Sequence, residues 1–219
     1  MSYIETELIL LRHCRIDGPT AFYGSGTDAG CLREELANMV NISGESFQEI
    51  YVSPMKRCRE TLEAAGISLA DPKVAEAPEI REISFGSIDG KAFQDFTPEE
   101  KQILEQLNRG ENAAFPGGEH AGDLRKRVFG FLERILAREH ELRENRRILA
   151  VTHSGVISTL LQGILECPVL NILQRASPAY GKFTGIKYFQ NAEQEFSMEF
   201  SMERVFPRIM FLNSKTPGN

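Results

Sequence analysis

The sequence predicts an α/β fold: a three-layer α/β/α domain with a mostly parallel sheet and a small helical cap insert. Strand-length apolar runs alternate with stretches of helical periodicity, an order that argues for a mostly parallel sheet covered on both faces. Two of the runs, Leu8-Ile9-Leu10-Leu11 and Ile148-Leu149-Ala150-Val151, lead into Arg12-His13 and Thr152-His153, about 140 residues apart. Ligands bind at the C-terminal edge of open α/β sheets. Parallel strands would there set two imidazoles and an arginine around one small anion.

The elements follow in order. Residues 7–12 read as a buried strand, followed by a glycine-rich loop (Gly18, Gly24, Gly26, Gly30). Residues 31–40 predict a helix with Leu32, Leu36, Met39 and Val40 on one face. A short strand at 49–52 ends at Ser53-Pro54, a turn preset to start a helix over 57–65. Thr97-Pro98-Glu99-Glu100 supplies an N-cap, a proline at N1 and first-turn acids to a helix over 97–108. The strongest periodicity lies at 119–144, where Leu124, Val128, Phe131, Leu132, Ile135 and Leu142 form one stripe. A strand at 147–152 and a helix over 155–166 complete the last unit. Alternation at Phe183, Ile186 and Tyr188, and again from Phe196 to Val205, predicts further strands. No repeat or linker divides the chain, which reads as a single domain over 1–219. Its insert at about 88–118, bounded by Gly90 and Pro116-Gly117-Gly118, is expected to cap the working edge of the sheet.

At 219 residues the chain is long enough for a proper core, and 42% hydrophobic with 26% charged residues is the ordinary soluble balance. A formal net charge of −6 argues against a nucleic-acid or anionic-membrane partner. It leaves room for a small cationic pocket. No apolar run approaches the roughly 20 residues that span a bilayer. The first residues carry two acids and no basic segment, so no secretory signal is read. Cys14, Cys31, Cys58 and Cys167 are scattered without a Cys-x-x-Cys pair, which predicts reduced thiols and a cytoplasmic protein.

The chemistry these residues offer is phosphoryl transfer. A neutral imidazole can carry a phosphoryl group covalently and split one hard displacement into two easier ones. The protein's remaining task is to position the group and cancel charge on its equatorial oxygens, which the planar fork of arginine suits. A carboxylic acid with a raised pKa can protonate the leaving alkoxide. His13 is the candidate nucleophile and Glu82 the candidate proton donor. Arg12 and Arg57 are candidate clamps, and His153, followed by Ser154-Gly155 at a helix start, can donate to the phosphate.

The strings LLRHC, VSPMKRCRET, REISFGSIDG, FPGGEH and LAVTHSG, in that order over residues 8 to about 158, resemble the histidine phosphatase superfamily, the phosphoglycerate-mutase-like group. The family's usual strings are R-H-G, S-P-x-x-R-x-x-x-T, a Glu three residues before Phe-Gly, P-G-G-E-S and a late H-G-G. The resemblance implies a phosphoglycerate mutase-like fold and a metal-independent phosphomonoesterase acting on a small phosphorylated metabolite, without cofactor. It implies His13 as the phosphohistidine, Arg12, Arg57 and His153 as the phosphate pocket, and Glu82 as the acid/base. Ser154 is counted with the substrate-binding groups. The loop Tyr23-Gly24-Ser25-Gly26-Thr27-Asp28 is similar to a Tyr-Gly-x-x-Asp pattern of the α-ribazole-phosphatase-like branch.

The chain departs from the family pattern at Cys14 and Ser154, where glycine is usual, at Ile16 for a common threonine, and at Pro19, where mutase-type members often carry asparagine. Two alternatives follow. One is a phosphoglycerate-mutase-type phosphotransferase; the other is a non-catalytic phosphate-binding regulatory module. A metal held by His13 and His153 is disfavoured, because no carboxylate or thiol stands at ligand spacing and Arg12 opposes a cation. His120 and His140 are expected on exposed helical faces, and Cys14 and Cys58 as small packing residues. The loop aromatics Phe22, Tyr23, Phe93, Phe96 and Phe115 are expected to pack beneath their own loops.

Overall fold

Strand β1 (Tyr3–Arg12) sits inside the sheet, so its apolar run is buried on both sides: Leu8 and Leu10 face one layer, Ile9 and Leu11 the other. The computed structural model describes residues 2–166, 172, 176–201 and 204–218. Among them the chain continues through α1 (Arg33–Ala37), β2 (Glu49–Val52), α2 (Lys56–Ala64), β3 (Val74–Glu76) and α3 (Pro98–Asn108). There follow α4 (Ala121–Leu142), β4 (Arg146–Thr152), α5 (Ser154–Leu165), β5 (Phe183–Asn191) and β6 (Val205–Ser214). The six-stranded sheet has the order β3-β2-β4-β1-β5-β6. The β2/β3, β2/β4 and β1/β4 pairs are parallel, while β5 is antiparallel to both β1 and β6. Only β5 therefore runs against the others, and the sheet is mostly parallel.

One face of the sheet buries α4 and α5 through Val128, Phe131, Leu132, Leu160 and Leu161. The other buries Cys58 and Leu62 of α2 with Ile42 and Phe47. This is the three-layer α/β/α arrangement expected. No helix among the described residues is long and apolar enough to cross a membrane.

Register positions the site. Arg12 lies opposite Thr152, and Val52 opposite Val151, so β1, β4 and β2 end level with one another. The His13 N–H continues the ladder to the Thr152 carbonyl at 3.0 Å, and the Ser53 N–H does so to Val151 at 3.0 Å.

Between β3 and α4 the backbone makes 3₁₀ turns at Pro78–Ile80, Gly86–Ile88 and Phe93–Asp95 before α3. The start of α3 carries the expected cap in full: Thr97 Oγ1 accepts from the Glu100 N–H, and the Glu100 carboxylate accepts from the Thr97 N–H. Ile88, Phe96 and Phe115 form a small apolar cluster apart from the two large ones, with Phe22, Phe85, Ile103, Leu104 and Leu107 packed on it.

Three expectations are corrected. The helix read over 31–40 shrinks to α1, because an antiparallel bridge of Cys31 to Ile16 and a Leu32 N–H bond to the Arg15 carbonyl hold its first residues extended. The strand read over Phe196 to Val205 is instead β6, beginning at Val205. Phe196, Met198 and Phe200 pack on the core without joining a ladder, except for an isolated bridge at Phe200. His140 is half-buried, with Nε2 3.0 Å from the Gln194 carbonyl and its ring beside Phe196. Cys167 lies outside the described residues. Of the loop aromatics, Phe96 and Phe115 are buried, whereas Phe93 stands 54% exposed.

Candidate active site

Three strand ends and one loop bring the predicted groups together. The His13 and His153 rings lie edge to face with centroids 5.0 Å apart, and both are buried. His13 Nδ1 is 2.7 Å from the Cys14 carbonyl, which can only accept, so Nδ1 carries the proton. The Nε2 lone pair is thereby left free for attack. His153 has the opposite tautomer: the Arg57 Nε–H donates to His153 Nδ1 at 3.3 Å, so Nε2–H donates to Ser53 Oγ at 2.8 Å.

Arg57 is fully buried on the first turn of α2. Its other hydrogen bonds run to the carbonyls of Thr27 (2.8 Å) and Gly24 (3.1 Å), leaving two of its five N–H groups for an anion. Arg12 stacks its guanidinium 3.5 Å over the Tyr180 ring and donates to the Pro178 carbonyl at 2.6 Å. Its Nε is buried without a hydrogen-bond partner, a donor available to a ligand. Ser154 is the first residue of α5, at the helix N-terminus that faces the pair of imidazoles.

Glu82 is buried between two backbone donors, the Ile83 N–H at 3.1 Å and the Gly155 N–H at 3.3 Å. Its backbone is propped from α4. Arg127 donates to the carbonyls of Arg81 (2.7 Å) and Glu82 (3.2 Å), and is itself held by both oxygens of Glu119 at 2.6 and 2.8 Å.

Burial sets the protonation states. It pushes the Glu82 carboxyl above the ordinary range, outweighing the two N–H bonds and the attraction of Arg57 and Arg12. Burial lowers His13 well below an ordinary imidazole, and the charges of Arg57 and Arg12 lower it further. It lowers His153 likewise, assisted by His13, Arg57 and Arg12. The arrangement therefore holds a neutral nucleophile, a carboxyl whose affinity for its proton is raised and two permanent cations. Burial also raises the thiols: Cys31 is pushed up to about 12, and Cys58, fully buried 3.4 Å from His153 Nε2, higher still. Among the described residues no cluster of three or more His, Cys, Asp or Glu could hold a metal ion.

All six residues singled out in the sequence, Arg12, His13, Arg57, Glu82, His153 and Ser154, thus fall at one edge of the sheet. Sequence reasoning missed Ser53, which orients His153, and Tyr180, which backs Arg12. It also missed the Arg127–Glu119 prop, although Glu119 stands in the FPGGEH string. His120 caps the start of α4 and is exposed.

A sequence model of the histidine phosphatase superfamily, branch 1, matches residues 8–198. The chain belongs to that superfamily. This histidine phosphatase is 27% identical over 184 residues to a metal-independent phosphoserine phosphatase of Arabidopsis thaliana, covering 78% of the chain and 74% of the relative. Among solved structures it is similar to a mycobacterial glucosyl-3-phosphoglycerate phosphatase, with TM-score 0.72 and 18% identity over 96% of the chain and 99% of the other. It is also similar to a putative α-ribazole-5′-P phosphatase of Escherichia coli, with TM-score 0.69 and 22% identity over 98% of each. These structures share its phosphoglycerate mutase-like fold. By family and by its phosphatase-named relatives the chain is an enzyme of the phosphatase class.

Proposed function

We propose that the chain hydrolyses the phosphomonoester of a small metabolite through a phosphohistidine at His13, without a metal or cofactor. The observation that carries this reading is the fixed tautomer of His13: its Nδ1–H is tied to the Cys14 carbonyl, which leaves Nε2 with its lone pair on a buried ring whose centroid is 5.0 Å from that of His153. In the first step that lone pair attacks phosphorus. The P–O ester bond breaks, its electron pair goes to the leaving oxygen, and Glu82 gives that oxygen its proton. In the second step the Glu82 carboxylate takes a proton from water as the water oxygen attacks phosphorus. The P–N bond breaks, its pair returns to Nε2, and phosphate leaves.

Arg12 and Arg57 hold the equatorial oxygens, with Ser154 at the N-terminus of α5, and His153 joins them by turning its Nε2–H from Ser53 Oγ to the phosphate. A preorganised donor of this kind contributes about 3–4 kcal/mol to the transition state. The domain acts as one unit over 1–219, with the segment at about 88–118 as its cap. Its net charge of −6 supports a protein with no nucleic-acid or membrane partner, and its scattered cysteines support a cytoplasmic one.

The test is hydrolysis of p-nitrophenyl phosphate by purified protein in EDTA, read as free phosphate. Wild-type protein is expected to turn over, and His13→Ala to lose at least about 10³-fold in kcat. Undiminished turnover in His13→Ala would remove the mechanism. Return of the phosphoryl group to a glycerate hydroxyl, with no free phosphate, would select the mutase alternative.

A further inference from the structure

The site continues into a cavity whose walls share residues with Glu82. Ile83 and Gly155, the two residues whose N–H groups hold the Glu82 oxygens, both line a cavity of about 270 Å³ between the cap helix α3 and the helices α4 and α5. Phe22, Phe85, Leu104, Leu107 and Leu124 are its large apolar lining residues besides Ile83. Phe22 lies two residues before Gly24, whose carbonyl accepts from Arg57, so this wall also adjoins the phosphate clamp.

The charges on the cavity are few, and they are already engaged at its rim. Arg125 is exposed, lies over the Phe129 ring at 4.6 Å and donates to Gln162 at 3.4 Å. Glu111 is exposed and accepts from Arg109 at 2.7 Å. The Asn112 side-chain oxygen accepts from the Gly122 N–H at 2.8 Å. Among the described lining residues Arg125 is the one cation, and its exposed guanidinium lies over Phe129 and bonds to Gln162.

A contrasting cavity of about 860 Å³ opens on the other side of Arg12. It is lined by Arg15, Lys182 and Lys215 as well as Glu34 and Glu35. That side would suit an anion, but it contains neither Glu82 nor the residues that hold it.

We propose that the apolar cavity receives the leaving alcohol, and that the substrate is the phosphomonoester of an alcohol with an uncharged, apolar body of ring or short-chain size. The proposal rests on the phosphatase reading, with Glu82 as the proton donor. The leaving oxygen must reach Glu82, and the body attached to it then passes along Gly155. A Cβ at position 155 would stand 2.3 Å from Glu82 Oε1, so glycine here lets the carboxyl lie against the start of α5, beside the cavity wall. An anionic body would have to give up its hydration for phenyl and leucine side chains, whereas an apolar one gains by leaving water.

The experiment compares kcat/KM for four esters of primary alcohols: benzyl and hexyl phosphate against O-phosphoserine and 3-phosphoglycerate. The proposal expects the apolar pair to exceed the anionic pair by roughly tenfold or more, the scale of a fitted apolar group in such a pocket. It expects Leu107→Lys to narrow that ratio by a similar factor; should that variant not fold, the wild-type series alone decides. Equal or better turnover of the anionic pair would overturn the proposal, sending the leaving group to the cationic cavity, and would leave the phosphatase reading intact. A folded Leu107→Lys with an unchanged ratio would also overturn it. Hydrolysis of none of the four would strike the phosphatase reading itself.

Discussion

At Glu82 two backbone N–H bonds and two arginines favour the carboxylate, yet burial prevails and keeps the group protonated above its ordinary range. The sign of the stability effect follows. The unfolded chain ionises this carboxyl near 4.5, while the fold retains its proton to higher pH. The contribution of Glu82 to stability is therefore full below that value and is lost as pH rises through the raised one. Glu82→Gln is expected to be more stable than wild type at pH 8 and little different at pH 4, by denaturant unfolding, while losing about 10²–10⁴ in kcat. A variant both active and destabilised at pH 8 would contradict the assignment. The two buried imidazoles have the opposite sense. Their folded pKa values lie well below 6.5, so the unfolded chain binds protons first as pH falls through 6.5, and the fold loses stability there. Stability measured from pH 7.5 to 5 is expected to decline, whereas the acidic limb of kcat/KM lies lower than an ordinary imidazole would place it. The chemistry-bearing side chains were legible because each stands in a short string of recognisable neighbours. Ser53 was legible only as a turn residue, and Tyr180 stands in no string. The carbonyls of Gly24 and Thr27 leave no mark in a sequence, because every residue has a carbonyl.

Among the elements, the loop at 22–28 is the one whose role sequence periodicity could not reach. Its shape is imposed by Asp89 across more than sixty residues of chain: that carboxylate accepts from the Gly24 N–H at 3.1 Å, the Gly26 N–H at 2.8 Å and Thr27 Oγ1 at 2.7 Å. A Cβ on Gly26 would stand 2.6 Å from Asp89 Oδ2, which accounts for a glycine at this close approach. The loop in turn offers its Gly24 and Thr27 carbonyls to Arg57. Asp89→Ala is expected to release the loop, lowering kcat/KM by roughly 10- to 100-fold through misplacement of Arg57. The matching stability loss is about 1–2 kcal/mol, because of the three donors only the Gly24 N–H is on a buried residue. A kcat/KM within twofold of wild type would show that Arg57 does not depend on this clamp. Helices with caps and a clean stripe, such as α3 and α4, were legible almost to the residue. The short α1 was not, because the bridge that shortens it joins Cys31 to Ile16 outside any helical pattern. Strand β6 carries Pro207 and buries only Val205, its other nine positions being exposed or half-exposed, a pattern open to an edge strand but weak as a signal.

On the scale of the whole molecule, the decisive fact is that β1 and β4 pair in parallel although their residues lie about 140 positions apart. The two apolar runs were legible as strands, and the adjacency of their C-terminal ends followed from fold class alone. What the sequence could not reveal is how each surrounding layer closes the site: α4 props Glu82 through Arg127, and Tyr180, just before β5, covers Arg12. The result is a net-negative protein that gathers two buried or half-buried guanidinium groups and two neutral imidazoles at one sheet edge. The most direct test of that design is to quench the enzyme during turnover of a phosphomonoester and map the trapped phosphoryl group by mass spectrometry. One acid-labile phosphoryl group on His13, absent from His13→Ala, is the expected result. A phosphoryl group on another residue, or turnover with no phosphoenzyme trapped in either wild type or Glu82→Gln, would contradict it.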